Sequence, residues 1–192
     1  DPHAYQIQGF FSIPGDVLNA SHILNDYVRN NLQPFLKDPV VVTVDLGYAK
    51  KGRNFATCIN APIAFIEKRR VANDARAEAV TIIGDVKDRD VVLVDDEIDT
   101  GRSIAQAVNL VKEKGAQRVY VAFVHPIFSS DAAQRLAALP VTEYITTDSV
   151  PIPLEKREVL GSRLTMLTVA PLLGEVIRRA HEGRSVGQMF NE

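Results

Sequence analysis

Residues 91–103 read Val-Val-Leu-Val-Asp-Asp-Glu-Ile-Asp-Thr-Gly-Arg-Ser, and the side chains able to do chemistry crowd into the second half of that run. Thr100 and Ser103 carry hydroxyl donors, and Gly101 lets backbone approach a ligand that a Cβ would keep away. A helix starting here would offer its first N–H groups, which lack intrahelical partners, to an anion. Asp95 and Asp96 cannot bind that anion. Carboxylates beside it make sense if they hold sugar hydroxyls, or Mg2+ and its waters, close by. The simplest ligand that satisfies both halves is a sugar phosphate.

Periodicity names the elements that must position this run. Residues 91–94 are apolar without alternation, which predicts a strand buried on both faces. Ile104, Ala105, Val108, Leu110 and Val111 then predict a helix that stops at Gly115. Upstream, apolar spacing predicts a helix over 16–35 with Ser21 as its N-cap and Pro34 ending it. A strand over 39–44 empties into Asp45-Leu46-Gly47-Tyr48-Ala49-Lys50-Lys51, a second candidate anion loop that leads into a helix ending near Ile59. A third strand over 62–66 runs into Glu67-Lys68-Arg69-Arg70, and 67–78 reads as a mobile basic loop. Strands over 79–83 and 91–94, joined by turn residues 84–90, are expected to pair antiparallel. Further strands are expected over 118–124, 141–146 and 164–169, with helices over 131–138 and 170–181 and a loop over 151–162. The βα rhythm predicts an α/β fold: a mainly parallel twisted sheet with helices on both faces and its sites at the carboxyl ends of the strands.

Composition narrows the function classes. The chain has 192 residues, 46% of them hydrophobic, enough for one substantial core. A net charge of −2 gives no general attraction to nucleic acid or to a membrane surface, so anion binding must be local. Cys58 is the single cysteine, which excludes an intrachain disulfide and a cysteine-based zinc site. No apolar run reaches bilayer length, and the expectation is a soluble, cytoplasmic protein. The chain opens on Asp1-Pro2-His3 without Met, as though its beginning were missing. Apolar residues at both ends, Ile7, Phe10, Phe11, Met189 and Phe190, predict association. Tyr48 reads as a packing residue and His125 as a hydrogen-bonded structural histidine.

Residues 91–103 resemble the loop that binds 5-phosphoribosyl 1-diphosphate (PRPP) in type I phosphoribosyltransferases: an apolar strand, two acids, a short spacer and a Thr-Gly-x-Ser ending. The flanks narrow the resemblance. They are Asp1-Pro2-His3-Ala4, Gln6-Ile7-Gln8-Gly9-Phe10-Phe11, the 67–70 run, Gly84-Asp85-Val86, His125-Pro126, residues 167–173, Ser185-Val186 and Phe190. Together they resemble the ribose-phosphate diphosphokinase (PRPP synthetase) family, in order and over nearly the whole chain. Two loops depart from that family's pattern: Asp99-Thr100-Gly101-Arg102-Ser103 stands for Asp-Thr-Ala-Gly-Thr, and Val44-Asp45-Leu46-Gly47-Tyr48 for Pro-Asp-Ala-Gly-Gly. The match begins partway through the family, so the segment that supplies the ATP side is absent and the chain resembles the C-terminal half.

The resemblance implies a type I phosphoribosyltransferase-like fold with a mobile loop and a short antiparallel hairpin. It divides the chain into 1–20, the remnant of a preceding N-terminal domain; 21–169, the phosphoribosyltransferase-like domain; and 170–192, a helix and tail that pack on a partner or on the missing domain. It implies transfer of diphosphate from ATP to ribose 5-phosphate, giving PRPP and AMP. Asp95, Asp96, Asp99, Thr100, Gly101, Arg102 and Ser103 would hold ribose 5-phosphate, Lys68 and Arg70 would be the catalytic cations, and His3 and Asp45 would serve Mg2+. Gln8, Asp16, Ser185 and Phe190 match a regulatory anion site between subunits of a homo-oligomer. Two alternatives stand beside it: a phosphoribosyltransferase that consumes PRPP, which the Thr100–Ser103 wording supports, and a non-catalytic regulatory subunit, which absence of the ATP half supports.

Overall fold

The computed structural model describes residues 5–70 and 78–189. A seven-stranded sheet runs β3-β2-β1-β4-β5-β6-β7. Its strands are β1 (Val40–Thr43), β2 (Ile63–Arg70), β3 (Glu78–Ile83), β4 (Val91–Ile98), β5 (Val119–Pro126), β6 (Glu143–Thr147) and β7 (Leu164–Leu167). All neighbours are parallel except β2 and β3.

The apolar run of β4 is unbroken because each face of the strand has its own core. Val91 and Leu93 join one core, with Val108 and Val111 of α3 (Arg102–Glu113) and Leu136 of α4 (Ala132–Ala137). Val92 and Val94 join the other, with Leu24 of α1 (Ser21–Tyr27) and Phe55 of α2 (Ala49–Cys58). Burying a side chain of this size contributes about 1.5–3 kcal/mol. At the foot of β4 the buried Asp90 accepts hydrogen bonds from Arg118 Nε (3.0 Å) and from the backbone N of Lys37 (2.6 Å), tying the starts of β4 and β5 to the segment before β1.

Four expectations are corrected. The hairpin joins β3 to β2, not to β4, with Lys68 opposite Val80 and Arg70 opposite Glu78. Residues 91–94 bury both faces and therefore lie inside the sheet, whereas Thr81 and Ile83 of β3 are exposed, as suits an edge strand. The basic run 67–70 consequently belongs to β2 rather than to a loop, and the rest of the expected mobile loop, 71–77, lies outside the described residues. The helix expected over 16–35 starts at Ser21, widens into a π-helical turn at Val28–Leu32 and tightens into a 3-10 turn at Gln33–Phe35 that contains Pro34. Ser21 is its first residue rather than its cap, which is Ala20, and Asn19 Oδ1, one residue before the cap, accepts the Ser21 N–H at 2.7 Å. Residues 151–162 are not a plain loop but contain α5 (Leu154–Leu160), which seats Leu160 in the core just after Pro153. The last helix, α6 (Ala170–His181), follows β7 as expected, and none of its residues is fully buried.

Among the described residues no helix is long and apolar enough to cross a membrane.

Candidate functional site

Adjacent parallel strands β1 and β4 lead to helices on opposite faces, α2 on one side and α3 on the other, so the chain parts beyond their carboxyl ends. Open α/β sheets bind ligands at this kind of crevice. A cleft of about 260 Å3 lies there, lined by Val44, Asp45 and the continuous run 95–104. All seven residues expected to hold a sugar phosphate line it, and Asp45, expected on metal grounds, faces them from β1.

Carbonyls of the loop after β4 are engaged by neighbouring backbone. The Phe128 N–H donates to the Ile98 carbonyl and the Ser129 N–H to the Asp99 carbonyl, both at 3.0 Å, while the Ala105 N–H reaches the Gly101 carbonyl at 2.9 Å. Gly101 caps α3 at φ 73°, a conformation that glycine adopts at little cost. A Cβ there would also press on Leu136 at 3.5 Å. Arg102 and Ser103 are exposed at the start of α3, beside amides that lack intrahelical partners.

The acidic wall is organised differently. The Asp96 N–H donates to Asp95 Oδ1 (3.1 Å) and the Glu97 N–H to Asp96 Oδ1 (2.9 Å), so the carboxylates fold back along their own strand. Burial first, and then the charges of Asp96 and Asp45, push the Asp95 carboxyl up to about 8, so near neutrality it holds a proton and can donate to a sugar hydroxyl. Glu97 also lines the cleft, although nothing in its position within the motif singled it out. Its neighbour in register on β5 is His125. That half-buried imidazole contacts Ser149 Oγ through Nδ1 at 2.9 Å, in keeping with a structural histidine.

Asp45 serves its own loop. Its Oδ1 accepts the Tyr48 N–H at 3.1 Å, so one amide of the second candidate anion loop is already used. Tyr48 is buried in the α1–α2 core, its hydroxyl 3.4 Å from Ser21 Oγ and its ring under the Lys51 ammonium at 5.3 Å. It packs, as expected. The oxygen-rich set Asp45, Asp95 and Asp96 suits a hard divalent cation, whose charge would offset the burial and the carboxylate repulsion that push Asp95 up. Among the described residues no three acids, histidines or cysteines converge on one point, so a cation that keeps its waters fits better than one fully ligated by side chains.

Among the remaining expected residues, Gln8, Asp16 and Ser185 do not line this cleft. Lys68 and Arg70 belong to β2, next to β1, and only their backbone lies within the described structure. Gln8, Asp16 and Ser185 are exposed, and Ser185 Oγ accepts the Gly187 N–H at 3.2 Å. His3 and Phe190 lie outside the described residues.

Comparison with known proteins agrees with this geometry. Residues 71–191 match the family model described as phosphoribosyl synthetase-associated domain. The chain is 45% identical over 191 residues to a ribose-phosphate pyrophosphokinase of Nostoc sp., covering 99% of this chain and 56% of the relative. It is 40% identical over 190 residues to the one of Aquifex aeolicus, covering 99% of this chain and 59% of the relative. A solved phosphoribosylpyrophosphate synthetase from Mycobacterium smegmatis superposes with a TM-score of 0.85 at 39% identity, over 95% of this chain and 57% of that one. The chain thus spans little more than half the length of the relatives it matches. With its sheet, its cleft and these matches in agreement, the chain belongs to the phosphoribosyl synthetase-associated domain family.

Proposed function

We propose that this chain carries the ribose 5-phosphate side of a ribose-phosphate diphosphokinase. The observation that carries the reading is the pairing, within one cleft, of an amide-rich helix start at 100–103 with the carboxyl groups of Asp95 and Asp96. A phosphate suits the first and sugar hydroxyls suit the second. With the 5-phosphate on the amides and hydroxyls of Thr100, Gly101, Arg102 and Ser103, the ribose lies along the acidic wall. Its O1 is then directed toward the mouth of the cleft, where it would attack the β-phosphorus of ATP and release AMP. Lys68 and Arg70 lie on β2, the strand beside β1, and would supply the cations that stabilise charge on the transferring group. Mg2+ would be held through water by Asp45, with His3 as a further contributor, and would neutralise the diphosphate.

The domain division follows from the same reading. Residues 1–20 continue a preceding segment that brings the ATP side, 21–169 form the phosphoribosyltransferase-like unit, and 170–192 pack on that segment or on another copy of a cytoplasmic homo-oligomer. The absence of buried residues in α6, and Ile7 and Phe10 at 54% and 88% exposure, support such packing. Gln8, Asp16, Ser185 and Phe190 would then lie toward a regulatory anion site between subunits.

Calorimetry with ribose 5-phosphate, against ribose and inorganic phosphate alone, tests the reading. Tighter binding of the joined ligand is expected, and equal or absent binding would overturn it. Incubation with ribose 5-phosphate, ATP and Mg2+ then asks whether this chain by itself releases AMP. Conversion of PRPP and a nucleobase to the nucleoside monophosphate, with release of diphosphate and without ATP, would instead favour a transferase that consumes PRPP, the reading supported by Thr100-Gly101-Arg102-Ser103.

A further inference from the structure

The loop carbonyls of Ile98, Asp99 and Gly101 are held by backbone N–H groups. The carbonyl between them, that of Thr100, is held by a side chain: Arg135 Nη1 of α4 donates to it. The other arm of the same guanidinium, Nη2, grips both carboxylate oxygens of Asp131 one turn earlier, at 2.9 and 2.8 Å. The fork is therefore braced on its own helix before it reaches the loop. With only about a quarter of its side chain exposed, Arg135 works from behind the cleft, whose lining does not include it.

A trans peptide is planar, and its C=O and N–H point in opposite directions. Anchoring the Thr100 oxygen to α4 thus turns the Gly101 N–H away from α4. Gly101 cannot hold this peptide by itself, because glycine tolerates many orientations. The wall behind it is close: a Cβ on Gly101 would stand 3.5 Å from Leu136 and 3.8 Å from the Ala132 carbonyl. We infer that Arg135 is a positioning residue for the anion loop, which sets the Thr100–Gly101 peptide so that the Gly101 amide faces the ligand phosphate. The inference rests on the reading of 100–103 as the phosphate cradle.

Arg135→Met removes the fork, and Arg135→Lys keeps the charge but offers a compact donor without the planar two-armed geometry. By calorimetry, Arg135→Met is expected to weaken ribose 5-phosphate binding about tenfold and Arg135→Lys about threefold. Both should melt close to the wild-type temperature, since α4 keeps its buried Leu136 and Ala132. In ligand-free protein the Gly101 amide resonance should be displaced in both variants, whereas amides of the distant β6–β7 region stay in place. Unchanged affinity in Arg135→Met, or an unmoved Gly101 resonance, would overturn the inference. If wild-type protein fails to bind ribose 5-phosphate, the ligand reading falls. The Gly101 resonance then still decides whether Arg135 sets this peptide.

Discussion

Two neighbouring loops of this protein start from the same design and end differently. After β1 and after β4 the chain runs from a buried strand through an aspartate and a glycine into a helix. In the β4 loop the carbonyls of Ile98, Asp99 and Gly101 are tied back to the β5–α4 segment and to α3. In the β1 loop Asp45 takes the Tyr48 amide for itself, and the tyrosine fills the core between α1 and α2. The difference shows that one strand–glycine–helix pattern can direct its polar groups differently, according to which of its carbonyls and amides the surrounding structure engages.

The contrast breaks most sharply at the glycines. Gly101→Val puts a β-branched side chain at φ 73° against Leu136, and should cost about 2 kcal/mol of stability in denaturant titrations and at least about tenfold in ribose 5-phosphate affinity. Gly47 does not have a positive φ, and its added Cβ meets only the movable Asp45 carboxylate, at 2.9 Å. Gly47→Ala should therefore be milder on both measures, and equal effects would erase the distinction between the loops.

Asp95 sharpens the comparison through pH. Its native carboxyl titrates near 8, whereas in the unfolded chain it returns to the ordinary range near 3.8. Between those values the native state binds more protons than the unfolded state, so this group lowers stability as pH rises from about 4 to about 8. Asp95→Asn should remove that slope and raise the melting temperature at pH 8 by on the order of 10 °C, with little change at pH 4. A parallel pH profile for variant and wild type would contradict the crowding of the three acids. Ser103→Ala, which removes one hydroxyl donor, should weaken ribose 5-phosphate about threefold in calorimetry. Asp99→Asn should weaken it in the same direction, and an unchanged affinity in both would place the ligand elsewhere. The smallest effect belongs to Tyr48→Phe. It loses a 3.4 Å contact to Ser21, and should leave ligand affinity unchanged and stability within about 0.5 kcal/mol.

Local chemistry made much of the site legible in advance. The strand–acid–glycine–helix order of 91–103 keeps its ligand-facing groups within one loop, so no distant contact was needed to assemble them. Tyr48 and His125 were readable for a similar reason, since an aromatic ring beside an apolar helix packs and a histidine at a strand end finds a hydrogen-bond partner. Strand pairing was less readable. Residues 79–83 have turn chemistry on one side and strand neighbours on the other, and the alternating exposure of 80–83, visible only in three dimensions, suits the outer partner of β2. The helix α5 was hidden by its charged sequence, because Ile152 and Leu160, the residues that seat it, lie at its margins.

The sequence alone determined the α/β rhythm, the doubly buried β4 and the strand–loop–helix order of 91–103, because each depends on residues adjacent along the chain. Only the tertiary structure decided that Asp45 joins Asp95 and Asp96 across the crevice, that Glu97 enters the same wall, and that Arg135 reaches the Thr100 carbonyl from a helix 35 residues away in sequence. Those contacts arise from packing β1 beside β4 and α4 behind the loop. Burial drives that packing, and no spacing along the chain records it.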